Sequence, residues 1–131
     1  MAEESPLILD TCAMLWLASG DKKLSNTAVG AINQAPVVFV SAITGFEIAI
    51  KVAKKKLQLP LPPAAWFVDV LEHHDLTVLP LTVEICIEAA QLPPIHIDPC
   101  DRFIIAAARL NKWTVVTADT RFEKYDVPTI T

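Results

Sequence analysis

Glycine is scarce in this chain, with three residues in 131. None stands in a G-x-G-x-x-G, Walker or G-x-S-x-G pattern, which excludes a phosphate-cradling glycine loop and the nucleophile elbow of serine hydrolases. Cysteine is no richer: Cys12, Cys86 and Cys100 are odd in number and lack C-x-x-C spacing. Neither a disulfide framework nor a zinc knuckle is indicated, and reduced thiols suit the cytoplasm. No apolar run is long enough for a membrane helix, which needs about 20 residues; the longest, residues 36–50, carries Glu47. The first residues, MAEES, are acidic where a secretory leader would be basic, so the expected location is cytoplasmic. A basic excess is missing as well: the net charge is -4, which argues against a general nucleic-acid coat protein and leaves room only for a local RNA contact. Repeats and low-complexity segments are absent.

What is present is apolar material, 53% of the chain, recurring in short blocks along its length. That is enough to build one compact domain over residues 1–131. Residues 6–10 (PLILD) form a short apolar run ending in a carboxylate, and the following TCAMLWLASG has helical spacing with Gly20 as a stop. A second helix is expected over 25–34, opened by Ser25 or Asn26. The β-branched VVFVS (37–41) reads as a buried parallel strand. A helix over about 44–56 follows, then a loop at LQLPLPP, a helix over 64–74, a strand at LTVLP (76–80) and a helix over 82–92. The segment HIDPCDRFIIAAARL supplies a helix over 99–111, WTVVT (113–117) a fourth strand, and residues 128–130 a last short one. Strands alternating with helices in this way predict a three-layer α/β/α sandwich around a mostly parallel sheet, with ligands at the carboxyl ends of the strands.

Four acids, Asp10, Glu47, Asp101 and Asp119, each fall within a turn of a strand end or a helix start. Singly, each has an ordinary role. Asp10 suits an N-cap. Glu47 completes a capping box with Thr44 and also pairs with Lys51 four residues on. Asp119 suits a turn. Asp98, just before Pro99, suits the N-cap of its helix, which leaves Asp101 in the first turn. Together, carboxylates gathered at one sheet edge repel one another and need protons or a cation. Magnesium prefers oxygen ligands and is held by a few carboxylates, and a bound cation of this kind promotes in-line phosphoryl displacement. His73 and His74, at a helix end, fit a solvated role complementing the dipole. His96 with Cys100 is at most half of a soft-metal site, since no second pair completes it. Trp16, Trp66 and Phe103 fall on apolar helix faces and read as core. Lys51, Lys54, Lys55 and Lys56, with Arg102 and Arg121 beside proposed metal acids, are either a solvated helix end and its neighbours or contacts to a phosphate backbone.

Taken in order, LILDTCAMLWL, VSAITGFEIAIKV, LTVLPLT, HIDPCDRFIIAAA and VVTADTRFEKY resemble the PIN-domain family, specifically its VapC-like toxins, over nearly the whole chain. The resemblance implies a magnesium- or manganese-dependent endoribonuclease, usually a homodimer, held inactive by a small antitoxin that covers the site. It places metal-binding and catalytic roles on Asp10, Glu47, Asp101 and Asp119. Thr11 and Thr117 would orient these acids, and Asp98 matches a position acidic in one branch. Close relatives often carry histidine where this chain has Cys12, and phenylalanine or alanine where it has Cys100; neither change removes a metal acid. Two other readings stay open: a catalytically silent PIN-like binding or scaffold domain, and another magnesium-dependent phosphotransfer domain, for which Lys112 and Lys124 are poorly placed.

Overall fold

In a computed structural model, residues 5–96 and 98–131 are described; the acidic start on which the leader expectation rested, residues 1–4, lies outside them. The elements run β1 (Leu7–Leu9), α1 (Thr11–Ser19), α2 (Asn26–Gln34), β2 (Val38–Ser41), α3 (Ala42–Ala53), α4 (Pro63–His74), β3 (Leu76–Leu79), α5 (Val83–Gln91), α6 (Pro99–Asn111), β4 (Thr114–Val116), a 3₁₀-helix (Thr120–Tyr125) and β5 (Thr129–Ile130).

The five strands form one sheet in the order β3-β2-β1-β4-β5, and every pairing is parallel. Alternation along the strands sorts the core into two halves. Leu7, Leu9, Val38, Val40 and Val116 meet Ala13 and Met14 of α1, Ala28 and Ile32 of α2, and Trp66 and Val70 of α4. Ile8 and Val115 point the other way, to Ile85 and Ala89 of α5, residues 104–108 of α6, and Phe122 and Tyr125. Helices cover both faces, giving the three-layer α/β/α sandwich expected from the order of elements. Because both faces of β1 are covered, its three residues are all apolar and buried.

Local chemistry sets the helix starts and stops. Asp10, Ser25, Ser41, Thr82 and Asp98 each accept a hydrogen bond from a first-turn N–H, and Gly20 closes α1 in the left-handed conformation at φ 68°. One boundary departs from expectation. Helix α3 begins directly out of β2, because the Ser41 hydroxyl takes the cap by accepting from Ile43 N–H at 3.2 Å. Thr44 is therefore a buried interior residue, the Thr44–Glu47 capping box is not formed, and the helix stops at Ala53 instead of continuing to residue 56. The 3₁₀-helix after β4 was not expected from the sequence.

Topology places the site. The chain steps outward from β1 to β2 to β3 and then returns to the opposite side of β1 to make β4. Connections leaving β1 and β4 diverge at their carboxyl ends, and such a switch point opens a crevice there. Asp10 and Asp119 lie at those two ends.

Candidate active site

Asp10 follows β1 immediately and is held from both sides. Its Oδ1 accepts from Ala13 N–H at 2.8 Å, capping α1, and its Oδ2 accepts from the Thr117 hydroxyl at 2.5 Å. The Asp10 N–H donates to Val116 O at 3.1 Å, fixing the end of β1 to the end of β4. The side chain is buried, and burial raises its pKa despite the bonds from Thr117 and Ala13. The Thr117 hydroxyl also accepts from Asp119 N–H at 3.0 Å, so one threonine links the two strand-end acids.

Glu47 projects from α3, one and a half turns past its start. Its Oε1 accepts from the Thr11 hydroxyl at 2.6 Å and its Oε2 pairs with Lys51 Nζ at 3.1 Å. Thr11 is buried at the first position of α1, so Glu47 is fixed against the residue next to Asp10. For Lys51, burial works against the charge, but the Glu47 bond and the negative charges of Glu47 and Asp98 together outweigh it and raise the ammonium pKa.

At the start of α6 the two aspartates divide. Asp98 is the N-cap, its Oδ1 accepting from Cys100 N–H at 3.0 Å. Asp101, one turn in, is pushed up to about 7, first by burial and then by the neighbouring charges of Asp98, Glu47, Asp10 and Asp119. Asp119 goes the opposite way, to about 2, chiefly because the Arg121 guanidinium is hydrogen-bonded to it. Arg121 Nε donates to Oδ1 at 3.0 Å and its Nη2 to Oδ2 at 2.8 Å.

His96 is the residue that sequence reasoning set aside. Its side chain is buried, and its Nε2 lies 2.9 Å from Asp101 Oδ2 and 3.1 Å from Asp119 Oδ2. With one ligand atom from each, His96, Asp101 and Asp119 fall within 4.8 Å of one another. The signal was in the quoted segment: a histidine five residues ahead of a first-turn aspartate. It was matched instead with Cys100, which is not part of the cluster. Burial first, and then Glu47, push the Cys100 thiol up to about 11, and burial with Asp10 raises Cys12, so neither is a ready thiolate ligand.

All four acids line a single cleft of about 360 Å³, together with Thr11, Lys51, Asp98 and Arg121. Lys54 and Lys55 lie at the other end of α3, outside it. Arg102 is a correction: it is no free cation for RNA. Its guanidinium donates to the carbonyls of Ala89 (3.1 Å), Ala90 (3.5 Å), Leu92 (2.7 Å), Pro93 (3.1 Å) and His96 (3.0 Å), closing the α5–α6 connection. Trp66 is core, whereas Phe103 is only partly buried. Trp16 is also partly buried and walls the acidic cleft, which it shares with a neighbouring apolar cleft of about 330 Å³ lined by Leu15, Leu57, Leu59 and Trp66. His73 and His74 end α4 and lie outside the acidic cleft.

The donor set suits a hard divalent cation. It is made of carboxylate oxygens, and one carboxyl keeps its proton to about pH 7, first because it is buried and then because other negative charges surround it. A cation placed there would relieve that repulsion.

The chain matches the PIN domain family from residue 7 to residue 128. It is 31% identical over 123 residues to Ribonuclease VapC22 of Mycobacterium tuberculosis, a match covering 93% of each chain. Its fold is similar to that of the DNA-bound VapBC structure from Salmonella typhimurium, with a TM-score of 0.69, 20% identity and coverage of 96% of this chain and 97% of that one. It is also similar to a toxin-antitoxin complex from Klebsiella pneumoniae, with a TM-score of 0.65, 18% identity and coverage of 95% and 96%.

Proposed function

The chain belongs to the PIN domain family, and from that premise we propose that it is a metal-dependent endoribonuclease, the toxin of a toxin–antitoxin pair. The observation that carries the chemistry is the convergence of Asp10, Glu47, Asp101 and Asp119 on one cleft at the switch point of the sheet. The likeness to a ribonuclease over 93% of the chain supports RNA as substrate. The likeness to a toxin-antitoxin complex supports a small inhibitory partner.

Asp10, Asp101 and Asp119 would hold magnesium or manganese, with Glu47 as a further ligand or as the base that orients the attacking water. When bound, the cation supplies positive charge against the phosphodiester and acidifies that water. Asp10 is kept in place by Thr117 and by the N-terminus of α1. Glu47, steadied by Thr11 and Lys51, aims its carboxylate into the cleft and accepts the proton. The Lys51 ammonium faces the same space and meets the RNA backbone, as does Arg121 once it leaves Asp119. Cleavage leaves a 5′-phosphate.

A silent scaffold would have no use for this arrangement, since holding Asp101 protonated to about pH 7 is a cost that substitution would relieve. We further infer a homodimer. The apolar side chains of Leu81, just before α5, Val83, at its start, and Ile87, at its middle, are exposed, and a second copy would cover them. No helix among the described residues is long and apolar enough to cross a membrane, and the proposed place of action is the cytoplasm, with its RNA.

The test is cleavage of RNA by the purified chain with magnesium or manganese, with chelator, and in Asp10→Asn. Chelation and Asp10→Asn should each abolish cleavage, at least 10²-fold, while the far-UV circular dichroism of Asp10→Asn stays that of the native chain. Cleavage that survives in Asp10→Asn defeats the assignment.

A further inference from the structure

Asp101 has one polar side-chain partner among the described residues, and it is His96. Asp119 shares that partner. The two contacts of Nε2, 2.9 and 3.1 Å, admit two meanings. Neighbouring ligands around a cation at about 2.1 Å stand roughly 3 Å apart, so His96 would be spaced as a third ligand. The 3.1 Å distance is equally that of an N–H donating to Asp119, while Asp101 Oδ2 stands 2.9 Å from the same nitrogen as a close polar neighbour.

The other ring nitrogen decides between them. His96 Nδ1 accepts from the Asp98 N–H at 3.3 Å, and a nitrogen that accepts carries no proton. The proton therefore sits on Nε2, which has no lone pair to offer a metal and one hydrogen, which it donates to Asp119.

The ring is not free to turn away. His96 N–H donates to Tyr125 Oη at 2.6 Å, and Tyr125 in turn donates to Pro93 O at 2.7 Å. The His96 carbonyl accepts from Arg102 Nη1 at 3.0 Å. Phe122 meets the imidazole edge-on, with ring centroids 5.8 Å apart. A buried histidine braced on both backbone sides and on its ring face is built to hold one orientation.

We infer that His96 is a positioning residue of the metal centre: its Nε2–H, set by the Asp98 backbone N–H, is donated to Asp119 while the ring stands against Asp101, and the imidazole so holds the two carboxylates at one spacing, where a divalent cation meets a formed site. The inference rests on the metal-dependent reading above. Without the imidazole between them, two carboxylates from different elements, α6 and the β4 end, would repel and separate, and cation binding would have to bring them back. His96 is buried behind the acids and does not line the cleft, so it acts on metal affinity and not on the chemical step.

Manganese binding to the full chain, measured by calorimetry, tests this in the native protein, His96→Asn and His96→Gln. Glutamine places an amide N–H near the Nε2 position, whereas asparagine is too short to reach both acids. His96→Asn should weaken manganese binding about 10–100-fold, with kcat at saturating manganese close to native, and His96→Gln should restore affinity to within about threefold. Native affinity in a folded His96→Asn variant overturns the inference alone. Equal loss in both variants makes His96 a metal ligand or a mere packing group and overturns it too. A native chain that takes up no manganese overturns the metal-dependent reading itself. Should His96→Asn fail to fold, the glutamine variant still decides, since weakened binding there contradicts the donor role.

Discussion

A carboxyl that keeps its proton to about pH 7 competes for that proton with any cation seeking the same oxygens. The folded-state pKa of Asp101 is raised from 3.8 to about 7, so between those values the metal-free fold holds a proton that the unfolded chain has given up. Its contribution to stability is full below about pH 4 and is lost as the pH rises through 7. Metal affinity runs the other way: manganese binding should weaken about tenfold per pH unit below 7 and level off above it. Asp119, at about 2, remains ionised throughout and adds no step. Titrations at several pH values check this, and an affinity flat from pH 5 to 8 would contradict it. At this scale the four acids were legible because each sits at an element boundary, where a sheet edge gathers charge. His96 was not, since its partners lie five and 23 positions away and only the folded chain brings them to one nitrogen.

Elements explain why neighbouring residues of one segment do different work. Asp98 ends the approach to α6 and satisfies a first-turn N–H, while Asp101 faces the cleft one turn on. Asp98→Ala should cost about 1 kcal/mol of stability, read from the urea midpoint, and leave cleavage at saturating metal largely intact. Asp101→Asn should abolish cleavage at little cost to the fold; equal loss of activity in both variants would contradict the division. The cap at Asp98 was readable from Pro99 beside it. Arg102 was misread, because a sequence cannot show that five carbonyls of the α5–α6 connection converge on one guanidinium. Arg102→Ala should destabilise the fold by about 2–3 kcal/mol through the carbonyls left without their donor. The salt dependence of RNA binding should stay unchanged, whereas a shallower salt slope would mark a phosphate contact after all. The start of α3 was misplaced for a similar reason: both Ser41 and Thr44 could cap, and the strand's end chose Ser41.

The whole molecule adds what no element holds. Strand order β3-β2-β1-β4-β5 brings Asp10 beside Asp119, although 107 positions separate Asp10 from the Thr117 that links them. The exposed Val83 and Ile87 on α5 become meaningful only as part of a surface, and Ile87→Glu should convert the dimer to a monomer in light scattering. A native chain already monomeric at micromolar concentration would remove the dimer from the proposal. The alternation of β-branched strands and amphipathic helices, the caps at Ser25 and at Asp98 beside Pro99, and the acids at strand ends were determined by the sequence itself. Those are local matters, governed by side-chain periodicity and by the hydrogen-bonding needs of helix ends. Tertiary structure alone decided that the sheet is parallel throughout, that Arg102 is committed to carbonyls, and that a buried histidine stands between two of the acids. Each of these depends on which distant groups share a volume too small to leave a charge or a polar atom without a partner.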